Sequence, residues 1–173
     1  MKFLAIALAA TAASAAAVRR SDNVPNTSGD DASSTGNDAV IRYDVTEFEA
    51  SCIAHSSQCS YSFKVKQHAS METNGVFCSA LVTADAGNTL PAVTDGVCDD
   101  SSRTWSIVKS ASDPANVNLS LFVSQPISPN SNTTGVHTIQ YDELKTVSNP
   151  TNPNGNVQGY VGPEAFDLVE SDN

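Results

Sequence analysis

A strict alternation of apolar and polar side chains is the feature that most constrains the fold of this chain. In "CSYSFKVK", Cys59, Tyr61, Phe63 and Val65 fall on one face, and serines and lysines fall on the other. Because successive side chains of a strand point to opposite faces of a sheet, this stretch predicts a strand with one face in a core. Further stretches with this period-two pattern occupy residues 41–45, 48–52, 117–123 and 136–141.

Three further features of the apolar pattern carry extra information. The apolar parity shifts between Val45 and Phe48, which predicts a β-bulge at that point. Residues 76–83, "VFCSALVT", are apolar on both faces, which predicts a central strand. Trp105 shares its parity with Ile107, which favours a place in the core over a sugar-stacking role.

Together these segments predict an all-β fold. Turn signals such as Asn74-Gly75 and Pro129-Asn130 separate the apolar stretches, and no sustained helical stripe follows the N-terminal segment. We expect a single antiparallel β-barrel or sandwich of six to eight or more strands over residues 39–173. Residues 142–147 are expected to form a short helical turn, and residues 160–169 a final extended segment.

The N-terminus predicts export. Lys2 precedes an apolar run over residues 3–17 that ends in small residues, which is the pattern of a signal peptide over residues 1–17. The run is shorter than the ~20 residues of a membrane-spanning helix, so we expect a soluble, secreted protein without membrane insertion. Residues 18–38 are polar and predict a disordered arm, in which Arg19-Arg20 is either a dibasic processing site or two unrelated charges.

The four cysteines predict two disulfides, for which three pairings exist. Cys52 and Cys59 flank "IAHSSQ" between two strand-like stretches. If those stretches form a hairpin, the two residues lie opposite each other at a distance that a disulfide can span. This favours Cys52–Cys59, which leaves Cys78 to pair with Cys98, and the other two pairings stay open.

Metal and thiol chemistry are not expected at the same stretch. The cysteine spacing lacks the close pairs of structural zinc sites. His55 has only His68 and His137 as histidine partners, without helical spacing, so a local loop role is favoured over metal binding. Paired cysteines in an oxidising compartment offer no thiolate nucleophile. We therefore expect no catalytic residue, no metal and no cofactor.

The net charge of −10 argues against two classes of partner. An acidic surface repels phosphate backbones, so nucleic-acid binding is not expected, and it disfavours anionic membrane surfaces for the same reason. A hydrolase is a further alternative, with candidate acids at Asp99-Asp100, Asp142-Glu143 and Glu47/Glu49. These spacings are ordinary for a chain with 19 acidic residues, and no aromatic cleft accompanies them.

Three Asn-x-Ser/Thr sequons predict N-glycosylation of a secreted chain. They begin at Asn26, Asn118 and Asn132. Asn118 has the outward parity of its predicted strand, and Asn132 falls in the loop-like "SPNSNTTG", so both positions suit a glycan.

Four stretches resemble one known family: "VTEFEASCIAHSSQCSYSF", "LPAVTDGVCDDSSRTWSIV", "SQPISPNSNTTGVH" and "GPEAFDL". Over residues 40–168 the chain is similar to ascomycete small secreted cysteine proteins of the hypersensitive response-inducing elicitor type, the rice-blast proteins among them. More distantly, the hairpin cysteine pair is similar to that of the Alternaria major allergen family, which implies a small antiparallel β-barrel with two intrachain disulfides. This chain has no fifth cysteine for an interchain bridge, so we expect a monomer.

The resemblance implies a secreted fungal effector that plant cells recognise and answer with cell death and defence. Its partner would be a plant cell-surface or apoplastic component, and the family motif brings no catalytic residue with it. The alternative is a non-catalytic barrel that binds a small hydrophobic molecule or a wall glycan. In that case the inward side chains of Tyr61, Phe63, Leu119 and Leu121 line a pocket instead of filling a core.

Overall fold

A computed structural model of the chain describes residues 40–110, 116–148 and 155–171. The predicted signal peptide, the polar arm with Arg19-Arg20 and the sequon at Asn26 lie outside the described residues. The domain boundary expected at residue 39 therefore stays a prediction.

The described residues form ten strands and one short 3₁₀ helix. The strands are β1 (Ile41–Cys52), β2 (Gln58–Gln67), β3 (Val76–Thr83), β4 (Val93–Val97), β5 (Thr104–Lys109), β6 (Leu119–Ser128), β7 (Ser131–Ile139), β8 (Leu144–Ser148), β9 (Asn156–Tyr160) and β10 (Phe166–Glu170). The 3₁₀ helix spans Tyr141–Glu143, directly before β8.

The strands form one antiparallel sheet that curls into a nearly closed barrel. Its order is β3-β2-β1-β10-β7-β6-β5-β4, and the β8–β9 hairpin joins the sheet where Ser51 of β1 pairs with Gly159 of β9. The last strand of the chain, β10, lies between β1 and β7, so the two ends of the domain are held in the same wall. The all-β, single-barrel prediction is confirmed.

The predicted bulge is present in β1. Thr46 pairs with Lys64 and the next paired residue is Glu49, opposite Ser62, so β1 holds an extra residue at this point. Glu47 takes a φ of 53°, in the left-handed region that non-glycine residues seldom enter. The bulge keeps Val45 and Phe48 both in the core despite their odd spacing.

Side chains from most strands fill the barrel. Tyr61, Phe63 and Val65 of β2 are buried, as their alternation predicts. Trp105 is buried as well and packs edge-on against the ring of Phe63 at 5.2 Å, which confirms its core assignment. The core also takes in apolar side chains of the other strands, including Tyr43, Phe48, Ile107, Leu119, Leu121, Val123, Ile139 and Leu168.

The expectation that residues 76–83 form a central strand is wrong. β3 pairs with β2 along its whole length, but it stands at the end of the strand order. Its outward residues Phe77 and Leu81 are exposed, so apolarity on both faces does not reflect burial on both faces here.

The expectation of a helical turn over residues 142–147 is only partly right. Helical structure ends at Glu143, and residues from Leu144 onward form β8. The strand exists because Leu144–Ser148 pairs in full register with Asn156–Tyr160. The single extended segment expected over residues 160–169 is only partly right, because β9 ends at Tyr160 and β10 begins at Phe166, with a connection over residues 161–165 between them.

Candidate functional site

The barrel closes at a seam between β3 and β4, the two ends of the strand order. The strands pair there only through an isolated bridge between Cys78 and Cys98. The Asp99 N–H also donates a hydrogen bond of 2.8 Å to the Phe77 carbonyl. A disulfide joins Cys78 to Cys98, so a covalent bond completes the barrel where the hydrogen-bond ladder is shortest.

The second disulfide joins Cys52 to Cys59, and with it the favoured pairing is confirmed. The two residues are directly opposed at the end of the β1–β2 ladder. His55 lies in the intervening turn with a φ of 64°. Among the described residues no group of three potential ligands could hold a metal ion.

A buried arginine forms a second clamp across the seam. Arg103, just before β5, is 4% exposed, and its guanidinium donates a bidentate pair of hydrogen bonds to Glu72 in the β2–β3 connection, at 2.8 and 2.9 Å. It also donates to the Val65 carbonyl at 3.1 Å and to the Gln125 side chain at 3.0 Å. Hydrogen bonds from this guanidinium hold the pKa of Glu72 below its usual range.

The Arg103 clamp was not foreseen from the sequence. Its acceptors Val65, Glu72 and Gln125 lie 22 to 38 positions away along the chain. A single arginine in "SSRTW" carries no local signal of such partners. Of the residues that the sequence singles out, Cys78 and Cys98 lie at this seam.

The outer face of the seam presents three exposed apolar side chains, which we call the seam patch. Phe77 and Leu81 of β3 are 42% and 57% exposed, and Val97 of β4 is 65% exposed. Since Cys78 and Cys98 are paired, Val97 is opposite Ser79, between Phe77 and Leu81. The bridge therefore places the three side chains on the same outer face of the seam, around exposed Ser79. Exposed apolar patches of soluble proteins often mark interaction sites.

One end of the barrel contains a cavity of about 440 Å³, which we call the mouth cavity. The 84–92 connection, β5, the start of β6, the 3₁₀ helix, β8 and β9 all contribute to its wall. Its lining residues are Ala86, Thr89, Leu90, Lys109, Val117, Leu119, Tyr141, Leu144, Thr146 and Gln158. All four residues considered as pocket lining, Tyr61, Phe63, Leu119 and Leu121, are buried in the core, and of these Leu119 borders the cavity.

Hydrogen bonds fix the wall of the mouth cavity. The Leu90 N–H donates to the Gln158 side-chain oxygen at 2.8 Å, which ties the 84–92 connection to β9. The Tyr141 N–H donates to the Asn118 side-chain oxygen at 2.9 Å, which ties the 3₁₀ helix to the start of β6. At the rim, the Lys109 ammonium lies 2.6 Å from the Asp85 carboxylate.

The two described sequons lie near opposite ends of strand β6. Asn118 is half-buried beside the mouth cavity, and its side-chain oxygen is engaged by Tyr141. Asn132 is exposed, but it lies in β7 opposite Pro126, so its expected place in a loop is wrong. Glycosylation at both positions stays a prediction.

The acids considered for hydrolysis lie on separate elements. Glu47 is in the β1 bulge, where Lys64 donates to it at 2.8 Å. Asp99 and Asp100 follow β4, and Asp142 belongs to the 3₁₀ helix. Glu143 of the same helix accepts a hydrogen bond of 2.8 Å from the Gln140 N–H.

In the part of the chain that the structure describes, no helix is long and apolar enough to cross a bilayer. Comparison of the sequence with protein-family models and with curated proteins found no match. The assignment of function therefore depends on the sequence resemblance and on the geometry of the seam and the mouth cavity.

Proposed function

We propose that this protein is a secreted fungal elicitor that plant cells recognise and answer with cell death and defence. Recognition in this proposal is non-catalytic and uses the outer surface of the barrel. The sequence resemblance over residues 40–168 motivates the plant target.

Two disulfides in a small barrel support an extracellular role, because such bonds persist in oxidising compartments. The N-terminal signal pattern points the same way. A protein that acts outside the cell also benefits from covalent closure, since the chain-entropy account gives each bridge a few kcal/mol, typically ~2–4.

The seam patch is the reason for proposing that this surface contacts the plant partner. The inward residues of β2, β5 and β6 fill the core, so they are not available to a partner. On the outside, Phe77, Leu81 and Val97 each keep about 40–65% of their surface exposed. An aromatic and two aliphatic side chains on a rigid, disulfide-closed wall suit a protein partner, since interface hot spots combine aromatic anchors with pre-organised surroundings.

The proposal is tested by infiltrating the purified exported protein into leaves. We expect cell death and induction of defence markers at micromolar dose. Protein that has been reduced and alkylated is the matched control, because it has the same sequence without the closed barrel. We expect this control to be inactive.

Absence of any response to the native protein would overturn the elicitor proposal. An equal response to the reduced and alkylated protein would contradict a different part of it. That result would show that a linear segment, and not the folded outer surface, is recognised.

A further inference from the structure

We propose that a hollow beside the seam patch is a binding site for an arginine side chain of the protein partner. This seam hollow lies on the outer face of β4, β5 and β6 and has a volume of about 370 Å³. Its outward-facing lining includes Asp95, Val97, Thr104, Ser106, Phe122 and Ser124. Because Val97 also belongs to the seam patch, the inference names the chemistry of the partner there, and its link to plant recognition rests on the elicitor proposal.

The register of the three strands explains why a hollow exists here. Ser106 of β5 pairs with Phe122 of β6, and Thr104 of β5 pairs with Val97 of β4. The middle strand thus presents small hydroxyl side chains between larger ones. At ~4.8 Å for each strand spacing, the side chains of β4 and β6 start roughly 10 Å apart, which leaves room for a flat group between them.

Phe122 forms the aromatic side of the seam hollow. It points outward between buried Leu121 and Val123, and it is half-buried. Among the described residues, no aromatic ring or cation is stacked on the Phe122 ring. A guanidinium suits such a ring, because it is planar and weakly hydrated. Exposed Val97 offers a contact to the methylene stem of the same side chain.

Asp95 sets the charge of the ligand. Among the described residues that line the seam hollow, it is the only charged one. Its carboxylate accepts a hydrogen bond of 3.1 Å from the Thr94 hydroxyl, and it takes part in no ion pair of the described residues. An exposed carboxylate without a cation, in a chain of net charge −10, favours a cationic ligand.

Arginine meets these conditions together. Its five N–H donors match the Asp95 carboxylate and the hydroxyl oxygens of Thr104 and Ser106. Lysine lacks the flat face for Phe122, and a sugar lacks the positive charge. At ~30 Å³ for each water-sized group, the seam hollow holds roughly 12 such groups, which accommodates an arginine side chain with water around its head group.

The experiment is a titration of the exported protein with N-acetyl-arginine amide, followed by amide chemical shifts. We expect a dissociation constant on the order of 1–10 mM, because the probe is a single side chain. The shift changes are expected at Asp95, Ser106 and Phe122, and not around the mouth cavity. N-acetyl-citrulline amide has the same shape without the charge, and we expect it to bind about fivefold to tenfold more weakly. N-acetyl-lysine amide should also bind more weakly than the arginine probe.

Two variants and a matched control separate the contributions. Asp95→Asn keeps the shape and removes the charge, so we expect the affinity for the arginine probe to fall about fivefold. Phe122→Leu removes the ring and keeps an apolar side chain, and we expect a loss of about threefold. Asp142→Asn removes an exposed acid of the 3₁₀ helix outside the lining, and we expect no change.

The arginine site is overturned if the probe shows no saturable binding, or if the citrulline or lysine analogue binds as tightly. It is also overturned if Asp95→Asn and Phe122→Leu bind the probe like Asp142→Asn while their unfolding temperatures match.

The leaf assay separates this inference from the elicitor proposal. Asp95→Lys places a cation in the seam hollow, and we expect it to need about a tenfold higher dose than Asp142→Lys. Equal potency of these two variants would overturn the role of the site in recognition and leave the elicitor proposal standing. If the native chain binds the arginine probe but elicits no leaf response, the elicitor proposal fails and the arginine site stands.

Discussion

At the scale of single residues, Arg103 holds more of the barrel together than any other polar side chain described here. It joins the β2–β3 connection, β2 and β6 to the segment between β4 and β5 through four acceptor atoms. Burial of a guanidinium is tolerated because each of these hydrogen bonds compensates for lost water. Loss of a single acceptor therefore leaves a buried charge without a full set of partners.

Glu72→Gln is expected to lower the free energy of unfolding at pH 7 by ~2 kcal/mol or more, because Arg103 loses its charged acceptor. The pKa of Glu72 is lowered in the folded state. The stability from this pair is then fully present above the unfolded pKa of ~4.3, and it is lost as the pH falls through the folded pKa. The difference in unfolding free energy between the native chain and the variant should therefore become smaller towards pH 3.

Urea unfolding followed by the fluorescence of Trp105, the only tryptophan, measures this gap at pH 7 and pH 3. Glu47→Gln is the matched control, because the Glu47–Lys64 pair is solvent-exposed and such pairs contribute only ~0–1 kcal/mol. The stabilising role of the Arg103–Glu72 pair would be refuted if Glu72→Gln lowered the unfolding free energy as little as the control does. It would also be refuted if the loss were the same at pH 7 and pH 3.

Gly96 in β4 is expected to tolerate no side chain. A Cβ at this position would lie 2.3 Å from the Trp105 ring. Because Trp105 is buried and fills its site, Gly96→Ala should cost ~1–3 kcal/mol of unfolding free energy through overpacking. Gly159→Ala is the control, since its Cβ meets nothing closer than 3.7 Å. Equal stability of the two variants in urea would contradict this packing.

At the scale of secondary-structure elements, the two disulfides do different work. Cys52–Cys59 reinforces a hairpin that already has a long ladder between β1 and β2. Cys78–Cys98 joins β3 and β4, which otherwise pair through one isolated bridge. We therefore expect closure of the barrel to depend more on the second disulfide than on the first.

We expect the double variant Cys78→Ala/Cys98→Ala to be less stable than Cys52→Ala/Cys59→Ala. Chain entropy alone gives roughly 3.3 kcal/mol for the longer loop and roughly 2.5 kcal/mol for the shorter one. The more specific expectation concerns hydrogen exchange, because only the first variant should lose amide protection in both β3 and β4. Retained protection in those two strands would show that the seam closes without sulfur.

The strands also show what local pattern can and cannot predict. The β2 alternation and the parity shift at Val45 and Phe48 correctly predict a strand and a bulge, because both patterns depend on which side chains face the core. β3 was misplaced as a central strand, since Phe77 and Leu81 are apolar on a face that is exposed. Periodicity reports the character of each face and carries no information on how many neighbours a strand has.

The same limit explains the misread segment after Tyr141. Leu144–Ser148 is a strand only because Asn156–Tyr160 pairs with it from beyond an intervening loop. The candidate sites divide in a similar way. The disulfide pairing followed from hairpin geometry, whereas the Arg103 clamp and the mouth cavity depend on contacts between residues far apart in sequence.

At the scale of the whole molecule, the barrel has two distinct surface features, the seam patch and the mouth cavity. The seam patch is convex and apolar, and it stands on a wall fixed by one disulfide and one arginine clamp. The mouth cavity is concave, with a single lysine in its lining. The elicitor proposal uses the seam patch.

The most direct measurement of the central claim is a leaf dose–response comparison of two triple variants. Phe77→Ser/Leu81→Ser/Val97→Ser removes the seam patch. Ile127→Ser/Val147→Ser/Val161→Ser removes three comparably exposed apolar residues elsewhere. With both variants folded by circular dichroism, we predict that the seam variant needs at least a tenfold higher dose, the usual weight of one or two hot-spot residues. The second variant should match the native chain. Equal potency of the seam variant and the native chain would contradict recognition through the seam.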